Sequence, residues 1–195
     1  MGHGVVQLCA SSGYEVIAVD LNDDACTKAV DHIKGSLDKV WSKKVAKGKV
    51  EQADADSEVD AILGRITTTT NLEDMSDADL IIEAIAENRE IKLDFFGKLG
   101  EIAKEGAILA TNTSSFSVSD MAQASGRPSH TIGLHYFNPV QLMQLVEVVC
   151  TDEADQAVID SAFAFVEHTK KVPIKCSDTR GFIVNRLLIP YIIQV

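Results

Sequence analysis

Four short apolar runs each stop on polar residues: EVIAVD (15–20), LIIEAIAEN (80–88), GAILATNT (106–113) and TIGLHYFN (131–138). Each is too short for a typical helix and too continuously apolar for a strand with one wet face, so each reads as a strand buried on both sides. The stretches between the first three carry apolar residues three and four apart, the spacing of amphipathic helices. Strands alternating with such helices imply an α/β chain with a mostly parallel sheet covered on both faces. In a doubly wound sheet of that kind, a ligand lies at the carboxyl ends of the strands.

The remaining elements fit between these runs. GHGVVQLCASSG has helical spacing and stops at Gly13, a natural helix end. Residues 23–47 form a long amphipathic helix with Ala29, Ile33, Leu37, Val40 and Trp41 on one face. ITTTT (66–70) has the β-branched content of a strand. Helices are expected at 89–103, at 117–125 with Ser117 as a cap, and at 153–169. HTIGLHYFNPVQLMQLVEVV (130–149) reads as two buried strands joined by an Asn-Pro turn. A strand at VPIKC follows, and a last helix begins near Gly181. At 195 residues the chain has room for one ample core. One domain is therefore expected over 1–178, with 179–195 opening something further. Both ends fall within elements, so the chain reads as cut at each, its first strand missing.

Charge and cysteine usage narrow the partners. With 18 basic and 29 acidic residues and a net charge of −11, nucleic acid and anionic membrane surfaces would be repelled at long range, which favours a small-molecule ligand. The basic cluster in DKVWSKKVAKGK reads either as a solvated helix face or as an anion contact. Cys9, Cys26, Cys150 and Cys176 lie far apart with no Cys/His cluster, so neither a disulfide framework nor a metal site is expected, and the compartment reads as reducing. No run reaches about 18 uninterrupted apolar residues, so no membrane span is expected. The start, MGHGVV, has neither the pattern of a secretory leader nor the Ser or Thr of a myristoylation site.

Polar residues at strand ends are then the ones to question. Asp20 ends its strand 18 residues after Gly2, about the separation between the last glycine of a G-x-G-x-x-G turn and the acid that holds a ribose. A turn or cap role explains Asp20 equally simply. Glu87, with Lys92 five residues later, and Asn112, Thr113, Ser114 and Ser115 stand after two further strands, where capping is the plain alternative. His135, Asn138 and Glu147 are polar groups in the apolar pair of strands, and burial is costly for them unless they are paired. Oxidation of a secondary alcohol needs a base for the hydroxyl proton while a hydride leaves the same carbon, and imidazole suits that role near neutral pH. A carboxylate on the neighbouring strand would fix the ring's tautomer, as in serine proteases. The plain alternatives are a core histidine bonded to a carbonyl and a surface glutamate on an edge strand. Ser114, His135 and Glu147 are also the ingredients of a hydrolase triad, but no G-x-S-x-G turn accompanies the serine. A non-catalytic protein on the same scaffold is a third reading.

EVIAVD, LIIEAIAEN, ATNTSS, GLHYFNPV, LVEVV and DTRGFIVNRLL, in that order, resemble the L-3-hydroxyacyl-CoA dehydrogenase family across essentially the whole chain. The resemblance implies a Rossmann-like NAD-binding domain without its first strand, followed by the start of a helical dimerisation domain at 179–195. It places catalysis on His135 and Glu147, aided by Ser114 and Asn185. Substrate contacts fall on Ser114, Asn138 and Asn185, with Ser36 and Lys43 near the coenzyme A moiety, and cofactor contacts on Gly2, Asp20, Glu87, Lys92 and Asn112. The implied reaction is NAD-dependent oxidation of an L-3-hydroxyacyl-CoA, as in fatty-acid β-oxidation, or its reverse; the alternative substrate is a free hydroxy acid. A homodimer is implied for the full-length protein, in a bacterial cytoplasm or a mitochondrial matrix.

Overall fold

The computed structural model describes residues 1–193. Its chain falls into two compact units: residues 1–74 with 139–141, and residues 75–138 with 142 onward.

The first unit contains α1 (Gly2–Ser11), β1 (Val16–Val19), α2 (Asp23–Ala46), α3 (Gln52–Gly64) and β2 (Ile66–Thr69). β1 and β2 pair in parallel, Val16 opposite Ile66 through Val19 opposite Thr69. Gly13, at φ +93°, lets the chain leave α1 for β1. Asn22 caps α2, its side-chain oxygen accepting the Ala25 N–H at 2.9 Å. Ala10, Ile33, Leu37, Val59 and Ile62 form the core, with Trp41 packed against it. The helix expected over 23–47 is thus α2. α3 was not expected, although Ala55, Val59 and Ile62 repeat at helical spacing and are its buried residues. Its acid-rich stretch, EQADADSEVD, hides that stripe.

The second unit contains β3 (Leu80–Glu83), α4 (Arg89–Ile102), β4 (Ile108–Thr111), α5 (Val118–Ser125), β5 (Thr131–Tyr136), β6 (Leu145–Cys150), α6 (Gln156–His168), β7 (Val172–Ser177) and α7 (Val184–Ile193). Its five strands lie in the order β3-β4-β5-β6-β7. All neighbours are parallel except β5 and β6, the pair joined around Asn138 and Pro139. Ser117 caps α5 as expected, accepting the Asp120 N–H at 3.2 Å. Asp178, at the end of β7, adds to that cap by accepting the N–H groups of Val118 at 3.0 Å and Ser119 at 2.8 Å. Burial would raise the Asp178 carboxyl, but these hydrogen bonds outweigh it and hold the group below the usual carboxylate range. Arg127 closes the other end of α4, donating to the carbonyls of Gly100, Ala103 and Lys104 at 2.6–2.8 Å.

Among the described residues, the strands thus make two sheets, a parallel pair and a five-stranded mixed sheet. All four cysteines are free and buried. Burial pushes the thiols of Cys9 and Cys176 up to about 12, with the Glu147 charge adding to the effect on Cys176.

Candidate active site

The centre of the site is a side-chain pair across β5 and β6. The antiparallel register sets His135 directly opposite Glu147, and residues opposite one another in such a ladder project on the same face. His135 Nδ1 lies 2.6 Å from Glu147 Oε2. A carboxylate only accepts, so the ring N–H sits on Nδ1 and the neutral ring keeps its lone pair on Nε2. Glu147 is 0% exposed and His135 is 5% exposed. β6 lies between β5 and β7, so Glu147 is not the edge-strand surface residue of the alternative reading.

Glu147 has a second set of partners. Its Oε1 accepts the backbone N–H groups of Ile183 at 2.9 Å and Val184 at 2.8 Å, at the start of α7. These donors belong to the turn opened by Gly181 at φ +76° and Phe182 at φ +49°. The Phe182 ring lies 5.5 Å and the Phe137 ring 4.6 Å from the His135 ring, centroid to centroid.

A second polar cluster joins the ends of β3 and β4. Lys92, 1% exposed, donates to Glu83 at 2.6 Å and lies 3.2 Å from Glu87. Glu83 also accepts the Ile85 N–H and the Thr111 hydroxyl, both at 2.7 Å. Glu87 Oε1 gathers the next loop, accepting the hydroxyls of Thr113 at 2.6 Å and Ser115 at 2.9 Å and the Ser114 N–H at 3.0 Å. Burial would raise the Glu87 carboxyl, but these three donors and the Lys92 charge override it and bring it to about 2. The hydroxyl of Ser114 lies 3.4 Å from the same oxygen. Asn185, next after Val184, sends its amide to the Ser114 carbonyl at 3.5 Å.

His135, Glu147, Ser114 and Asn185 are therefore linked within the second unit, whereas Asn138 is exposed in the turn after β5. Lys92, Asn112 and the glycine at the start of α1 were also expected at the cofactor. Lys92 is enclosed by two carboxylates, Glu83 and Glu87. Asn112 spends its side-chain oxygen on the Tyr136 N–H at 2.8 Å, tying β4 to β5. On the same helix as Gly2, a Cβ at Gly4 would stand 3.0 Å from Val140 Cβ. Glu83 and the Phe182–Val184 turn were missed. A carboxylate closing the apolar run LIIE, nine residues before a lysine, was the available signal for Glu83; the turn had none.

In the first unit, Asp20 stands exposed just beyond β1, its carboxylate accepting the Leu21 N–H at 2.7 Å. Ser36 and Lys43, seven residues apart on α2, share a helix face. An acid at the end of a parallel strand and a helix starting at Gly2 and tightly packed at Gly4 fit one half of a dinucleotide site.

Comparison with known proteins settles the lineage. Residues 1–179 match the family model described as 3-hydroxyacyl-CoA dehydrogenase, NAD binding domain. The chain belongs to that family. It is 43% identical to a probable 3-hydroxybutyryl-CoA dehydrogenase of Deinococcus radiodurans, covering 97% of this chain and 65% of the relative. It is 41% identical to the mitochondrial hydroxyacyl-coenzyme A dehydrogenase of Sus scrofa, covering 100% of this chain and 61% of the relative. Among solved structures, the 3-hydroxybutyryl-CoA dehydrogenase of Escherichia coli superposes with a TM-score of 0.90 at 34% identity, over 100% of this chain and 39% of that one. The chain thus spans under two thirds of the length of these relatives. The dehydrogenase family accounts for the α/β fold and for NAD as the cofactor of this domain.

Proposed function

We propose that the complete protein oxidises L-3-hydroxyacyl-CoA to 3-ketoacyl-CoA with NAD, or runs the reverse reaction. The observation that carries this reading is the buried His135–Glu147 pair at 2.6 Å, which leaves Nε2 of a neutral imidazole as the proton acceptor. The substrate hydroxyl gives its proton to Nε2, and Glu147 stabilises the imidazolium that forms. NAD, when bound, supplies the acceptor for the hydride that leaves the same carbon. Ser114 and Asn185, joined through the Ser114 carbonyl, orient the substrate oxygen, and Asn138 contacts the substrate from the turn after β5. Glu87 positions the Ser114 loop, Asp20 holds the adenosine ribose, Gly2 opens the helix beside the cofactor, and Ser36 and Lys43 contact the coenzyme A moiety. Residues 1–178 form the cofactor domain, and 179–195 begin the part that completes a homodimer. Similarity to bacterial enzymes and to a mitochondrial one supports either compartment.

The test is turnover of acetoacetyl-CoA with NADH by the full-length protein, beside free acetoacetate. Reduction of the thioester but not the free acid is expected, and His135→Gln should lower kcat by roughly 10²–10⁴-fold with NADH affinity unchanged. Turnover of the free acid alone, or a fully active variant, would overturn the assignment.

A further inference from the structure

We infer that the turn at Gly181–Val184 is the positioning element that fixes which oxygen of Glu147 faces His135. The inference deepens the proposed function, resting on His135 as its base, but concerns residues beyond the 1–179 stretch matched by the family model.

A carboxylate is symmetric, and nothing in Glu147 itself decides which oxygen meets the histidine or how firmly it is held. The structure divides the work. Oε1 receives two backbone N–H groups, from Ile183 and Val184, and Oε2 receives the single ring N–H. Consecutive residues at positive φ, Gly181 and Phe182, shape the turn that delivers both donors to one oxygen. Gly181 has little freedom to change, because a Cβ there would stand 3.0 Å from the Arg186 nitrogen and the φ already disfavours a side chain. The start of α7 adds the positive end of a helix dipole. Phe182, 3% exposed, then lays its ring against His135. One four-residue turn thus holds the acid by backbone and the base by contact.

Glutamine at 147 makes this testable, because an amide has distinct ends. If the turn governs, the amide oxygen stays on the N–H groups of 183 and 184. The NH₂ then faces His135 Nδ1, which must give up its proton and become an acceptor. The opposite orientation would set NH₂ against two buried N–H groups and leave them unpaired. If the turn does not govern, the amide rotates, offers its oxygen to the ring, and the tautomer is unchanged.

The experiment is ¹⁵N NMR of the imidazole in full-length wild-type protein and Glu147→Gln at alkaline pH. Wild type should carry its proton on Nδ1 and the variant on Nε2, with kcat down by about 10²–10⁴-fold, as expected of a wrong tautomer, and KM little changed. Should Glu147→Gln fail to fold, the crystal structure of Gly181→Ala decides: a side chain at this positive φ displaces the turn, and the Glu147 carboxylate should then leave its 2.6 Å contact with His135 Nδ1. A Glu147→Gln protein still protonated on Nδ1, or a folded Gly181→Ala protein whose turn has moved while the Glu147–His135 contact is kept, would overturn the inference. Because the tautomer is read without substrate, an inverted tautomer in a protein that does not turn over acetoacetyl-CoA would refute the proposed function and leave this inference standing.

Discussion

At the level of single residues, the molecule treats its buried charges differently from its surface ones. Lys34–Asp38 and Lys98–Asp94 are exposed pairs, which solvent screens. Lys92 and Glu83 are enclosed, and removing one partner strands the other. Lys92→Met should therefore destabilise the protein by roughly 3–5 kcal/mol in urea unfolding, whereas Glu83→Leu with Lys92→Met should recover most of that loss. A double variant as unstable as the single one would show that the cost lies elsewhere, for instance in the released Ser114 loop. The His135–Glu147 partnership was legible in the sequence because two acid-base groups flanked an Asn-Pro turn in an apolar setting. The burial of Lys92 was not, since its partner Glu83 passed for an ordinary residue inside an expected strand.

Among the elements, packing between helices separates glycines that look alike in the sequence. Gly97 and Gly100 both lie on α4. A Cβ at Gly97 meets the Ala124 carbonyl oxygen at an ordinary 3.6 Å, but one at Gly100 would sit 1.8 Å from the Ser125 carbonyl oxygen. Gly97→Ala should stabilise by up to about 1 kcal/mol through helix propensity. Gly100→Ala should destabilise by roughly 1–3 kcal/mol by overpacking. Thermal unfolding of the two variants checks the opposite signs, and equal shifts would mean that α4 and α5 part without cost. Most elements were visible from apolar spacing, and the Ser117 cap from residue type. α3 escaped because acids crowd its exposed face, and the Asp178 contribution to the α5 cap escaped because it arrives from 60 residues away.

For the whole molecule, the order of strands and helices was enough to name the fold class, while the division into two units depends on contacts that composition does not carry. The proposed site was legible where local motifs brought His135 and Glu147 together, and not where residues 181–184 fold back on Glu147. Each unit also holds two shielded sulfhydryls, Cys9 and Cys26 in the first and Cys150 and Cys176 in the second. A thiol-reactive dye can label them only when the surrounding unit opens, so labelling rate becomes a separate clock for each unit. With single-cysteine variants, NADH should slow the Cys9 and Cys26 clocks if ligand binding steadies the first unit, and unchanged rates would contradict that coupling. The sealed sulfur atoms thus double as reporters of breathing, readable without adding any label site to the chain.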